Sequence, residues 1–217
     1  MVIVVLLAPF IPLIISGQWD WWQAWAYAVA SILAFVFSRL IVARKYPDLI
    51  AERARFMQAK DTKPWDKILA PLLGLGSVLI LVVAGLDKYY AWSPASNLTV
   101  SLAALIGIVL GYGISSWALI ENRFFSGTVR IQTERGQHVI STGPYRIIRH
   151  PGYASGLLDY VCIPLLLGSA WSWIPTIFLM IVMVIRTALE DKTLQAELTG
   201  YKEYAQKTRY RLIPGIW

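Results

Sequence analysis

Two clusters of side chains in this sequence have the types and spacing for chemistry. The first is Gln132 to Gly156, QTERGQHVISTGPYRIIRHPGYASG, the longest polar and irregular segment of an otherwise apolar chain. A residue before proline is pushed out of helical geometry, so Gly143-Pro144 and His150-Pro151 interrupt regular structure here. Pro151 suits the first position of a helix. The stretch predicts a helix N-terminus at the membrane edge, with free backbone N–H groups beside Arg146, Arg149 and His150, a place suited to an anion. His150 and Tyr153, three apart, meet at the mouth of that helix. His150 reads either as a cap or hydrogen-bonded structural residue, or as part of a site.

The second cluster is Arg186 and Glu190, four apart and so on one helix face. They either pair with each other or serve a site. Arg before Glu is the weaker order of a pair worth only ~0.2–0.5 kcal/mol, and charged groups at a membrane helix end can also snorkel. Asp159, inside an apolar run, is costly in lipid and by default faces a cavity or a partner. Its alternative is hydrogen bonding to neighbours of Tyr160 or to water at interfacial depth. Two histidines and one thiol, Cys162 in an apolar run, give no disulfide framework and argue against a protein metal site. No side chain stands out as a covalent nucleophile.

Apolar elements must position these groups. With 57% hydrophobic and 15% charged residues over 217 positions, the chain is of the membrane class and of single-domain length. Residues 2–16 predict a first span kinked near Pro9 and Pro12. They lack the basic start and small-residue cleavage site of a secretory signal. Trp19, Trp21, Trp22 and Trp25 follow at the lipid–water boundary. Residues 22–42 form a second span with Arg39 snorkelling near its end, 67–86 a third, and 98–120 a fourth, in which Gly107, Gly111 and Gly113 permit close contact. A loop around Asp87-Lys88-Tyr89-Tyr90 separates the third from the fourth. Residues 153–186 hold two apolar runs divided by Gly168-Ser169-Ala170, a tight helical hairpin near the lower limit for spanning ~30 Å. The last helix continues into water through RTALEDKTLQAEL, and AERARF at 51–56 reads as a short surface helix.

The expected fold is an all-α, polytopic membrane bundle of about six transmembrane helices and a single structural domain. Residues 1–120 carry four spans and the basic loop 43–67, and 121–217 carry the site. Eighteen of the twenty Lys and Arg residues lie in 43–67, in 121–150 and from Arg186 onward. Six spans put all three regions on one face, which the positive-inside rule makes cytoplasmic, with both termini on that side. The net charge of +7 is accounted for by this bias and by attraction to anionic membrane lipids, without nucleic acid.

Arg149-His150-Pro151-x-Tyr153-x-x-Gly156 after Gly143-Pro144-Tyr145, then Arg186-x-x-x-Glu190-Asp191-x-x-Leu194 and Tyr201-x-x-Tyr204, resembles the isoprenylcysteine carboxyl methyltransferase family of integral membrane enzymes. Phospholipid N-methyltransferases and membrane thiol methyltransferases share parts of the pattern, which covers roughly Asn122 to Trp217. The resemblance implies S-adenosylmethionine as methyl donor, held by Glu190, with Arg186 near the acceptor as its catalytic partner. It implies a cofactor site lined by His150, Pro151, Gly152 and Tyr153 with Tyr145, Gln137, His138, Val139, Ile140 and Gln132. It also implies that Tyr201 to Trp217 folds over the cofactor, whereas its basic and aromatic residues alone read as an interfacial anchor. Asp191 replaces a frequent second Glu, and Leu198-Thr199-Gly200-Tyr201 stands where many relatives have Phe-Gly. Both departures bear on the prenylcysteine substrate.

The donor presents a carboxylate, an ammonium, an adenine and a sulfonium, which ask for N–H groups or a cation, an acid, an amide and aromatic faces. Methyl transfer is an in-line displacement needing alignment and water exclusion, worth ~7–11 kcal/mol through positioning. A carboxylate acceptor is already ionised and wants a cation such as Arg186, whereas an amine or thiol wants a base. The expectation is a multi-pass membrane methyltransferase with its site facing the cytoplasm. Its acceptor is a lipophilic small molecule or lipid, most simply the carboxylate of a prenylated cysteine, with Arg186 and Asp159 as candidate substrate contacts and no metal. The alternatives are methylation of a phospholipid amine or a thiol, or a non-catalytic transporter or lipid-binding protein with Asp159 and Arg39 as its polar path.

Overall fold

The computed structural model describes residues 6–49 and 61–217. After a 3-10 turn at Ala8–Phe10 come α1 (Ile11–Ser16), α2 (Trp22–Lys45), α3 (Asp66–Tyr90), α4 (Leu98–Glu121), α5 (Pro151–Leu167), α6 (Trp173–Glu197) and α7 (Tyr201–Lys207). Between α4 and α5 the chain is irregular apart from 3-10 turns at Thr133–Arg135 and Gly143–Arg146. Among the described residues there is no strand. The surface helix expected at 51–56 lies outside them.

Each boundary has a local cause. Asn97 caps α4, its side chain accepting from Thr99 N–H at 2.8 Å, a device worth ~1 kcal/mol. Pro151 starts α5 and Gly168, at φ +66°, ends it in the left-handed conformation that glycine adopts without strain. The turn to α6 is pinned by Asp87, which accepts from Ser169 Oγ at 2.5 Å, Trp171 N–H at 3.3 Å and Ser93 N–H at 2.8 Å. Asp87 thus belongs to the last turn of α3 rather than to the loop expected there, and the helix runs on through Tyr90.

Six spans are expected, and four described helices, α2, α3, α4 and α6, have the length and apolar character to cross a membrane. α5 has 17 residues, about 25 Å against a hydrocarbon thickness of ~30 Å, because proline and glycine fix both its ends. The expected span 2–16 falls partly on undescribed residues. Its described part is broken at Pro9 and Pro12, which lead the 3-10 turn and α1.

Packing follows the small residues. A Cβ on Gly107 would collide with Cys162 and one on Gly111 with Asp159, so these glycines let α4 lie directly on α5. Gly113 has nothing within 4 Å of that position and contributes no such contact. α6 turns Leu179, Val182, Met183 and Arg186 inward and leaves Ile174, Ile177, Phe178 and Ile181 exposed, the division expected of a helix facing lipid on one side.

The two ends of the bundle differ. Lys63 pairs with Glu197 at 2.7 Å, and Lys45 Nζ donates to the Ile120 carbonyl at 3.2 Å. Asp48 accepts from Arg135 at 2.7 Å and Arg123 at 3.1 Å, and these guanidiniums hold its carboxyl below the usual range. The three basic segments therefore share one end. Lys88 lies at the other, over Trp21 at 5.4 Å, beside Trp92 packed edge-on against Trp171.

Candidate functional site

At the basic end, the loop between α4 and α5, the start of α5, the inner part of α6 and α7 surround a cavity. Gln132, Gln137, His138, Val139, Ile140, Tyr145, His150, Pro151, Gly152, Tyr153 and Glu190 all line it, although they come from three stretches of sequence. Arg186 is not in its wall. Asp159 lines a different cavity deeper in the bundle.

Tyr153 sits at the hub. Its phenol donates to the Glu190 carboxylate, its ring stacks on His150 with centroids 5.7 Å apart and planes within 4°, and the Arg186 guanidinium lies 5.1 Å from its other contact, the ring centroid. Starting a helix at Pro151 brings His150 and Tyr153 together as their spacing predicts. Arg186 and Glu190 share a helix face without pairing. Arg186 instead grips Asp66 through two bonds of 2.6 and 3.0 Å and reaches the Gly127 carbonyl at 3.2 Å, while Val129 N–H donates to the same carboxylate at 2.6 Å. Asp66 is fully buried. The charge of Arg186 is therefore already matched, and the pair ties α3, α6 and the loop together.

The start of α5 also differs from expectation. The N–H groups of Arg149 and His150 donate to the carbonyls of Tyr210 and Arg211, each at 2.9 Å. Arg149 clasps Asp191 at 2.7 and 3.0 Å, and His150 Nε2 lies 3.3 Å from the same carboxylate. Arg211, Gln195 and Tyr201 complete the set at 2.9, 2.7 and 3.2 Å. A buried carboxylate collects donors because an unpaired charge is costly. The cations expected to receive an anion thus hold Asp191 and the carboxyl-terminal segment in place, and Arg146 points to solvent.

Around the cavity, Tyr145 donates to the Ala118 carbonyl and accepts from Asn122 Nδ2 at 3.2 Å, and Tyr204 O–H donates to the Tyr145 carbonyl at 2.6 Å. Burial pushes the Tyr145 phenol up, and the Tyr204 phenol up to about 12. Both are neutral at physiological pH and offer aromatic faces and O–H donors, not bases. The side-chain amide of Gln132 holds its own loop, donating to the Phe124 carbonyl at 2.8 Å and accepting from Arg135. Glu190 is the sole carboxylate among the lining residues described. No cluster of three metal-binding side chains occurs among the described residues.

Sequence reasoning missed Asp66, Asn122 and Phe125. An arginine inside a membrane helix demands a counter-charge, and Asp66, the acid that opens the third span, was its readable candidate. Phe125 carried no signal. It lines both the cavity at the basic end and the deeper one, and its ring packs where Gly152 lacks a Cβ.

Residues 99–199 match the family model described as phospholipid methyltransferase. Two curated relatives from rice, Oryza sativa subsp. indica and subsp. japonica, each named “Probable protein-S-isoprenylcysteine O-methyltransferase”, are 32% identical over 112 residues. That alignment covers 50% of this chain and 58% of either relative, so the chain spans little more than half the length of the curated relatives it matches. The matched region contains the loop, α5 and the inner part of α6. Asp66 and Arg39 lie outside it.

Proposed function

We propose, for a chain whose residues 99–199 carry the sequence of the phospholipid methyltransferase family, that it is a membrane methyltransferase. Its donor is S-adenosylmethionine and its acceptor a lipophilic molecule, most simply the carboxylate of a prenylated cysteine or a similar small molecule. The observation that best supports this is one cavity lined by eleven residues of two separated motifs, with Glu190 directed at Tyr153. Its chemistry fits the donor. Glu190 suits an ammonium or sulfonium, Tyr145, Tyr201 and Tyr204 suit an adenine face, and Gln137 and Asn122 suit polar edges.

When bound, the donor supplies a methyl carbon on a positively charged sulfur. An acceptor oxygen forms the new bond to that carbon as the sulfur–carbon bond breaks, leaving a neutral thioether and, from a carboxylate, a neutral ester with no proton to move. The residues orient and exclude water. Tyr153 fixes the Glu190 carboxylate, and Tyr201 and Tyr204 of α7 form part of the cavity wall. The concentration of Lys and Arg at this end supports a cytoplasmic site.

A second reading, an amine or thiol acceptor, is favoured by the Arg186–Asp66 pair, which leaves Arg186 less able to attract a carboxylate. Glu190, if it faces the acceptor, then takes the proton that such a group must lose. Incubating the purified protein with methyl-labelled donor and, in turn, a prenylcysteine, phosphatidylethanolamine and an alkyl thiol separates these. Label in the prenylcysteine ester is expected. Label in the amine or thiol alone transfers the assignment to the second reading, and no label in any refutes both.

A further inference from the structure

The deeper cavity, about 430 Å³ between α2, α3, α4 and α5, contains a pattern that the donor site does not use. Its hydroxyls are largely satisfied by their neighbours. Ser31 bonds the Tyr27 carbonyl at 2.7 Å and the Tyr112 hydroxyl at 2.8 Å, and Ser77 bonds the Leu73 carbonyl at 2.7 Å and the Tyr160 hydroxyl at 3.0 Å. Two ionisable groups in the same wall are not hydrogen-bonded. Arg39 Nη1 and Asp159 Oδ1 are buried with no hydrogen-bond partner among the described residues, and they do not pair with each other. A guanidinium edge and a carboxyl edge left open in an apolar interior are each costly, and a ligand that meets them is favoured. Gly111 is what allows Asp159 its position, since a Cβ there would strike the carboxylate.

We propose that this cavity binds the head of a zwitterionic amphiphile, its anionic oxygen on Arg39 and its ammonium on Asp159, with the apolar tail along the helices. Such a head satisfies both open groups at once and adds no net charge to the interior. A head with one charge leaves the other residue unmatched. Phe125 borders both cavities, and Gly156, in the wall of the deeper one, lies one helical turn beyond Gly152 and Tyr153 in the wall of the first. That adjacency makes the amphiphile the methyl acceptor, a clause that rests on the methyltransferase reading, whereas the binding site does not.

The test uses the full chain in an uncharged maltoside detergent and measures binding of S-tetradecylcysteine, which is zwitterionic, its N-acetyl derivative, which is anionic, and its methyl ester, which is cationic. Lysophosphatidylethanolamine, with a phosphate in place of the carboxylate, distinguishes a lipid head from an amino-acid head of the same charge pattern by which binds more tightly. The expected result is at least tenfold tighter binding of one or both zwitterions than of either singly charged analogue. Asp159→Asn is expected to abolish the advantage over the N-acetyl compound, and Arg39→Gln the advantage over the ester. Thermal stabilisation by S-adenosylhomocysteine, unchanged in both variants, shows that they are folded. Equal affinity for all heads, or discrimination unaltered in folded variants, overturns the proposal. Zwitterion binding without methyl transfer leaves the site standing and removes the acceptor clause with the methyltransferase reading.

Discussion

Tyr153 shows how much of the site depends on one side chain. Its hydroxyl orients Glu190, its ring is stacked on His150, and Arg186 lies over it. Tyr153→Phe keeps the ring and removes one hydrogen bond to a charged acceptor, typically ~1.5–3 kcal/mol. We expect S-adenosylhomocysteine affinity to fall about tenfold, read by calorimetric titration, and, because the contact is already made in the free protein, its thermal midpoint to fall as well. An unchanged affinity would mean that the Tyr153–Glu190 contact does not shape the proposed donor site. Arg186 behaves differently. Arg186→Ala strands the buried Asp66 carboxylate and is expected to destabilise the protein by ~3–5 kcal/mol, whereas Arg186→Met with Asp66→Leu recovers most of that loss. Thermal unfolding of the single and double variants checks this, and additive losses would contradict it.

The spacing of Arg186 and Glu190 was readable as a shared helix face, but their separate partners were not. Asp66 is 120 residues from Arg186 and Asp191 is 42 from Arg149. Local periodicity carries no information about pairings across such separations. For the same reason the cations near Pro151 read as an anion site, when a buried acid from α6 engages two of them.

At the scale of elements, glycine placement decides which helices touch. Gly107→Val is expected to force α5 away from α4 and lower the thermal midpoint in detergent, while Gly113→Ala leaves it unchanged or raises it, since alanine is the better helix former by ~1 kcal/mol. Equal effects at both positions would contradict the packing described. The hairpin of α5 and α6 was legible from Gly168-Ser169-Ala170 because a left-handed stop leaves a local mark. The shortness of α5 followed from Pro151 and Gly168, both visible in sequence. What sequence did not carry was Asp87, whose role depends on the loop after α3 meeting the turn between α5 and α6.

α7 closes over the cavity with its tyrosines neutral. An unfolded tyrosine ionises near pH ~10, whereas burial holds Tyr204 neutral up to about 12. Between those values the unfolded chain releases a proton that the folded one keeps. Stability from this group is thus full below pH ~10 and is lost as pH rises toward 12. Burial shifts Tyr145 and Tyr201 in the same direction. Tyr204→Phe is expected to lessen the alkaline loss of stability between pH 10 and 12, measured by thermal unfolding. An identical pH profile would refute that role.

At the scale of the molecule, the basic end and the aromatic end lie at opposite ends of the bundle. Positive charge is retained on the cytoplasmic side, so a cysteine introduced at Lys202 should react with an impermeant thiol reagent in inside-out vesicles, and one at Lys88 in right-side-out vesicles. Reversed accessibility would place the cavity at the basic end on the opposite face. Cys162 is buried and leaves the labelling interpretable.

The claim on which all scales converge is that the cavity at the basic end binds the methyl donor through Glu190. Calorimetric titration of the purified protein with S-adenosylhomocysteine, beside Glu190→Ala and the near-isosteric Glu190→Gln, tests it most directly. Saturable binding by the wild type, lost in the alanine variant and at least tenfold weaker in the glutamine variant, is the predicted result. No binding by the wild type, or equal binding by folded variants, would contradict it.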